Sequence, residues 1–365
     1  MPNTNPESLH FRHWTLGRRT LRVFRLQTEL IQLIRDAIRS RGPQPFAWFM
    51  QQTLYHPEHG YYSSDRAAIG RRGDYFTNVS VGPLFGELLA AQFAEIWERL
   101  GKIPNFIIVE QGAHHGEFAR DVLESSQRRC LAFFSALRYR IVEPLPKLRD
   151  RQLQTLGEFG DRVQWRKSLD RMEPFVGIHF SNELLDAMPI NLHKKLVDLE
   201  GNEFVFVDSP TEQTTNESQL NWIDNVAARL ERGFILAIDY GFARTEFREV
   251  VQVRARHRHL DSPFEEIGEA DITAHVNWTD IAEAAEKNGL RVTGFTDQHH
   301  FLTGIISAFP EIVKGEKSKR ALQTLLHPEM LGRSFQVLAI TKDVDLGTRL
   351  SGFKFARDAS KSLGL

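Results

Sequence analysis

Apolar positions in this chain fall into two rhythms. From Leu26 to Arg39, the residues Leu30, Ile31, Leu33, Ile34 and Ile38 recur at helical spacing, and Arg41-Gly42-Pro43 stops that helix. A second helix begins at Pro45-Phe46-Ala47-Trp48-Phe49-Met50. Leu54 to Tyr62 is dense in turn formers and aromatics, and a glycine-punctuated stretch from Ile69 to Thr77 leads into a helix from about Pro83 to Leu100.

After Gly101 the rhythm changes. Phe106-Ile107-Ile108-Val109 is short and wholly apolar, as expected of a parallel strand buried on both faces. A helix is predicted from about Gly116 to Gln127, a strand at Tyr139–Val142 and a helix at Lys147–Leu156. Further strands are predicted at Val163–Trp165, Gly177–Phe180 and Phe234–Ile238, with Leu290–Phe295 and Phe335–Ile340 closing the series. Strands alternating with helices imply βαβ units and a parallel sheet with right-handed crossovers.

The predicted fold class is therefore α/β: a Rossmann-like sheet with helices on both faces, an N-terminal helical extension and inserted substrate-side segments. The expected boundaries are an N-terminal helical region over 1–100, a sheet domain over 101–345 and a C-terminal tail over 346–365. Inserts are expected at about 190–222, where Phe204-Val205-Phe206-Val207 suggests a β-hairpin, and at about 241–277, a polar histidine-rich stretch. One sheet with insertions accounts for the pattern better than two independent domains.

Composition narrows the function classes. Of 365 residues 41% are hydrophobic, enough for a sizeable core. The 46 basic and 47 acidic residues nearly cancel, so no global charge argues for a nucleic-acid partner. A single cysteine, Cys130, excludes an internal disulfide framework and any multi-cysteine zinc site, and reads as a half-buried structural thiol. No apolar run approaches the ~20 residues that span a bilayer. A reducing compartment, the cytoplasm by default, follows as the expectation. Arg12, Arg18, Arg19, Arg22 and Arg25 face one acid, Glu7, and read as a basic tail rather than a transit peptide.

Five constellations carry candidate chemistry. Glu110-Gln111-Gly112-Ala113-His114-His115-Gly116 joins a buried strand to a helix, where glycines allow a sharp turn and amides at the helix start suit an anionic group. Glu143 ends the next strand, where a carboxylate can accept both hydroxyls of a ribose. Ser181-Asn182-Glu183-Leu184-Leu185-Asp186 follows the fourth strand and can orient an amine or guanidinium; helix capping explains the same residues. Asp239-Tyr240-Gly241 lies at the same predicted sheet edge, and Asp271 to Trp278 is the fifth constellation. His257, His259 and His275 invite a metal reading, but the arginine-rich run Arg254–His259 repels a cation, and no metal is expected.

Taken together these segments resemble the MidA family of methyltransferases, which includes a mitochondrial complex I assembly factor that methylates arginine. The resemblance runs from about Pro45 to Leu302. Besides the constellations above, it is carried by Leu54-Tyr55 with Gly60-Tyr61-Tyr62, Gly73-Asp74-Tyr75-Phe76-Thr77, Phe85-Gly86-Glu87, the run Asn182 to Pro189, and Asp271-Ile272-Thr273-Ala274-His275-Val276. It implies a class I methyltransferase fold with S-adenosylmethionine as cofactor, held by Glu110, Gly112, Gly116, Glu143 and Asn182. It implies Glu183 and Asp186 as catalytic acids, with Asp74 and His275 on the substrate side. The implied partner is a protein substrate methylated on arginine, with a respiratory complex subunit as one candidate.

Two departures stand out. His114 replaces the middle glycine of the family's cofactor loop, with His115 beside it, and Val251–Arg256 lacks the usual glycine and tyrosine. A nicotinamide oxidoreductase is discounted, because its glycine fingerprint has no strand-terminal acid before the first glycine. A non-catalytic assembly protein on the same scaffold is the alternative reading.

Overall fold

The computed structural model describes residues 28–63, 77–212, 214–256, 258–345 and 347–365. Its contacts divide the chain into two compact units. The larger comprises residues 69–188, 216–252 and 273–365, and the smaller residues 1–68, 189–215 and 253–272.

The larger unit is organised around a sheet of seven long strands, β1 (Phe106–Gln111), β2 (Leu137–Val142), β3 (Val163–Arg166), β4 (Phe175–Asn182), β5 (Leu230–Phe242), β6 (Arg291–Asp297) and β7 (Phe335–Lys342). Their spatial order is β3-β2-β1-β4-β5-β7-β6, and a two-residue strand, Val276–Asn277, extends the end of β5 in parallel. Strands β1 to β5 run parallel, so their carboxyl ends share one edge. The expected all-parallel sheet needs one correction: β7 is antiparallel to both β5 and β6. Its sequence is apolar on both faces, and such a run carries no signal of direction.

Each apolar run serves two cores. In β1, Phe106 and Ile108 enter one core and Val109 the other; in β5, Phe234, Leu236 and Ile238 face opposite to Ile235 and Ala237. Side chains alternate across a strand, so only uniformly apolar strands can fill a sheet covered on both sides. Helices α1 (Leu84–Arg99) and α2 (Glu117–Arg129) cover one face, while α4 (Glu217–Arg229) and α5 (Trp278–Lys287) cover the other. Helix α3 (Pro146–Leu156) crosses from β2 to β3 with a proline in its first turn, where the missing N–H costs nothing. Helix α6 (Gln298–Ala308) follows β6, and Asp297 caps it by accepting from the His300 N–H. Phe353, in the segment expected as a tail, packs on Phe301 of α6.

The smaller unit contains a helix over 28–41, a helix at Phe46–Tyr55 and the antiparallel hairpin Lys195–Glu200 with Glu203–Asp208. Phe46, Phe49, Phe204, Phe206 and Phe264 meet there with ring centroids 4.8–6.0 Å apart. Among the described residues, no helix is long and apolar enough to cross a membrane.

Candidate active site

The carboxyl edge of the large sheet collects four of the five constellations. Strand β1 ends at Gln111, and Gly112 and Gly116 then take left-handed backbone with φ of 84° and 88°. A side chain at Gly112 would meet Leu184 of the turn after β4 at 3.3 Å, and one at Gly116 would meet Leu156 of α3 at 3.1 Å, so neighbouring side chains reinforce the conformational need for glycine. His114, standing where the resembled family has glycine, also lies in the left-handed region at φ 45°. Its ring stacks on that of His115 with centroids 3.7 Å apart.

Glu110 lies in the core beneath this loop, and the Tyr139 hydroxyl donates to its Oε2 at 2.7 Å. Burial pushes its carboxyl up to about 8, against the Tyr139 hydrogen bond.

Glu143 follows β2 and is also buried. Its Oε1 accepts from the Leu145 N–H at 2.9 Å, and its Oε2 accepts from the Gln152 amide at 3.0 Å. Burial raises its carboxyl to about 7, and both donors oppose that rise. Gln152 Nε2 also donates to the His114 carbonyl at 2.8 Å, while its Oε1 accepts from the Trp165 indole at 3.0 Å.

At the end of β4 the backbone turns through Glu183, which has φ 53°. The turn rests on Asp239 of β5, whose Oδ2 accepts from the N–H groups of Leu184, Leu185 and Asp186 at 3.0, 2.7 and 3.3 Å. Its Oδ1 accepts from the Tyr240 N–H at 2.8 Å. Burial raises the Asp239 carboxyl to about 7, and the four backbone donors oppose the shift. Glu183 Oε1 accepts from the Asn182 amide at 2.8 Å and the Asn78 N–H at 3.3 Å. Asn78 in turn donates to Asn182 Oδ1 at 2.9 Å and accepts from buried Gln298 at 2.8 Å. Asn182 therefore engages both ends of its amide with protein groups.

Asp186 is buried, and its carbonyl accepts from the Ala274 N–H at 2.8 Å, which brings it next in space to the segment carrying His275. His275 Nε2 lies 3.2 Å from Gln252 Nε2, and its ring meets Phe242 edge-on. Asp74 and His257 lie outside the described residues. His259 sits on the three-residue strand Arg258–Leu260 of the smaller unit.

The structure thus gathers Glu110, Gly112, Gly116, Glu143, Asn182, Glu183, Asp186 and His275 in the larger unit. Gln152, Asn78 and Gln298 were not singled out from the sequence. No motif marks a polar residue in the middle of a helix or at the edge of a loop. A further set, His114, His115 and Glu117, brings three ligand-type atoms within 4.8 Å of one another. Arg151 donates to His115 Nε2 at 2.8 Å, so a cation there would compete with a guanidinium.

A family model described as "Putative S-adenosyl-L-methionine-dependent methyltransferase" matches residues 88–214 and 203–296. The chain is 27% identical over 381 residues to the Drosophila melanogaster protein arginine methyltransferase NDUFAF7 homolog, mitochondrial, covering 85% of this chain and 84% of that one. It is 24% identical to the human protein arginine methyltransferase NDUFAF7, mitochondrial, over 92% of this chain and 87% of that one. A crystal structure from Burkholderia thailandensis, bound to S-adenosyl-homocysteine, superposes with a TM-score of 0.83 at 27% identity, over 99% of this chain and 100% of that one.

Proposed function

The chain belongs to this family of S-adenosylmethionine-dependent methyltransferases, and we propose that the acceptor of its methyl group is an arginine side chain of a protein. The observation that carries the proposal is the carboxylate of Glu183 at the end of β4. It is held by Asn182 and Asn78 on a turn that Asp239 secures, with buried Asp186 three residues on. Two acids on one rigid turn suit the planar, five-donor fork of a guanidinium.

The residues fit the cofactor. Two glycines in left-handed conformation leave the loop after β1 without side chains at those points, and a buried acid closes the neighbouring strand. In this reading Gly112 and Gly116 admit the cofactor close to the backbone, Glu143 accepts from its ribose hydroxyls, and Glu110 with Tyr139 supports the loop from below. Bound S-adenosylmethionine supplies an already activated methyl group. The protein's task is then alignment and field rather than covalent chemistry. Glu183 and Asp186 would hold the guanidinium and localise its charge away from one nitrogen, leaving that nitrogen's electron pair to take the methyl group as the methyl's bond to sulfur breaks. The proton that this nitrogen sheds passes to an acid of the pair or to solvent, with Asp74 and His275 assigned to the acceptor side.

The relatives' names support protein arginine as the acceptor, and a respiratory complex subunit is the candidate partner that the family resemblance implies. The same names support the mitochondrion as its place of work in a eukaryotic cell. The test is transfer of labelled methyl from S-adenosylmethionine to arginine-containing and lysine-containing proteins, followed by mass spectrometry. Label on arginine, lost in Glu183→Gln, is the expected result. Label on lysine or on a terminal amine would overturn the assignment of the acceptor.

A further inference from the structure

We propose that Gln152 is a positioning residue for the cofactor, orienting Glu143 toward the ribose and tying that acid to the glycine loop. The proposal rests on the reading that Glu143 binds the ribose. Gln152 is fully buried in the middle of α3. A buried primary amide can face either way, and three bonds decide the matter here. The Trp165 indole, a donor only, requires an acceptor and so takes Oε1 at 3.0 Å. Nε2 is then the atom facing Glu143 Oε2 at 3.0 Å and the His114 carbonyl at 2.8 Å, both of which accept.

This geometry does two things. One inward lone pair on each Glu143 oxygen is taken, by Gln152 and by the Leu145 N–H, which fixes the carboxylate plane. Among the described residues no other donor meets this carboxylate, so the remaining lone pairs can serve the two hydroxyls of a diol. The same amide nitrogen anchors the loop at His114, the position where left-handed backbone carries a side chain. One side chain therefore sets the distance between the acid and the loop, and Trp165 on β3 sets the side chain.

The experiment measures S-adenosylhomocysteine affinity by calorimetry, beside the analogue lacking both ribose hydroxyls. Proteins compared are the wild type, Glu143→Gln, Gln152→Met and Trp165→Phe. Gln152→Met is expected to weaken S-adenosylhomocysteine about ten-fold, the worth of one hydrogen bond to a charged group, and to leave the analogue nearly unaffected. Trp165→Phe removes the donor that orients the amide, with part of the ring's volume. It should show the same hydroxyl-dependent loss to a smaller degree, and it carries the test if Gln152→Met does not fold. Equal losses for both ligands would overturn the proposal, since Gln152 would then merely support the loop. No loss in Gln152→Met or Trp165→Phe would overturn it as well. If Glu143→Gln binds as tightly as the wild type, the ribose reading itself fails and the proposal falls with it.

Discussion

Asp239 Oδ2 lies 2.7 Å from the backbone nitrogen of Leu185, at the centre of three consecutive N–H groups that one carboxylate oxygen collects. The two residues sit on neighbouring parallel strands or just beyond their ends, and the contact turns the chain sharply after β4. Glu183 is thereby held in left-handed backbone that its side chain does not favour. Removing the carboxylate would leave buried amides without acceptors. Asp239→Ala is expected to cost about 2–4 kcal/mol in urea denaturation and to abolish methyl transfer. Full activity in a stable Asp239→Ala protein would show that the turn holds itself.

Glu143 should make cofactor binding depend on pH. Its carboxyl is raised to about 7 by burial, and the ionised form is the better acceptor for two hydroxyls. Affinity for S-adenosylhomocysteine is expected to increase as pH rises from 6 to 8. Glu143→Gln should bind more weakly and lose this dependence. A flat calorimetric profile in the wild type would contradict the assignment.

Glu110 has the same sign but a consequence for stability. Burial raises its folded pKa to about 8, above the 4.5 of a free carboxyl, so the folded state binds the extra proton. The stability this confers is fully present below about 4.5 and is lost as pH rises through about 8. Glu110→Gln keeps the shape without the charge and should flatten that part of the pH profile in thermal melts. Unchanged curves would mean that Glu110 ionises in place at little cost.

His179 acts at the other end of the scale. Burial in β4 lowers its pKa from 6.5 to about 3. The folded state therefore holds neutral imidazole, and stability is lost as pH falls from about 6.5 through 3. His179→Gln should be less acid-sensitive than the wild type between pH 6 and 4, as followed by circular dichroism. An identical acid limb would place the sensitivity elsewhere.

A substitution at Glu183 is expected to separate catalysis from cofactor binding. Glu183→Gln keeps the hydrogen bond from Asn182 but loses the charge that pairs with a guanidinium. The expected result is a fall in kcat of about 100-fold with S-adenosylhomocysteine affinity essentially unchanged. A parallel loss of affinity would move Glu183 to the cofactor side of the site.

Much of this site was legible before any tertiary structure. Glu143 just past β2, Asp239 near the end of β5 and the glycines at 112 and 116 follow from local rules. A short apolar run must be a buried strand, and the residues just past its end must lie at the sheet edge. Glu183 and Asp186 fall just past the end of β4 for the same reason. Asn78, Gln152 and Gln298 had no such signal. Their partners are 9, 38, 104 and 220 residues away in the chain, and an amide in a helix or loop looks like any solvated polar residue.

The chain's own pattern determined the strand–helix alternation, the family and the edge where chemistry collects, because periodicity and turn residues are encoded over a few positions. Tertiary structure decided the antiparallel course of β7, which apolar composition cannot express. It also decided which side chains orient the acids. Trp165 sets the Gln152 amide and Gln152 sets Glu143, an order that exists only once α3 has packed between the glycine loop and β3. Hydrogen bonds are directional and short-ranged, so their pairing is a property of the folded arrangement rather than of spacing along the chain.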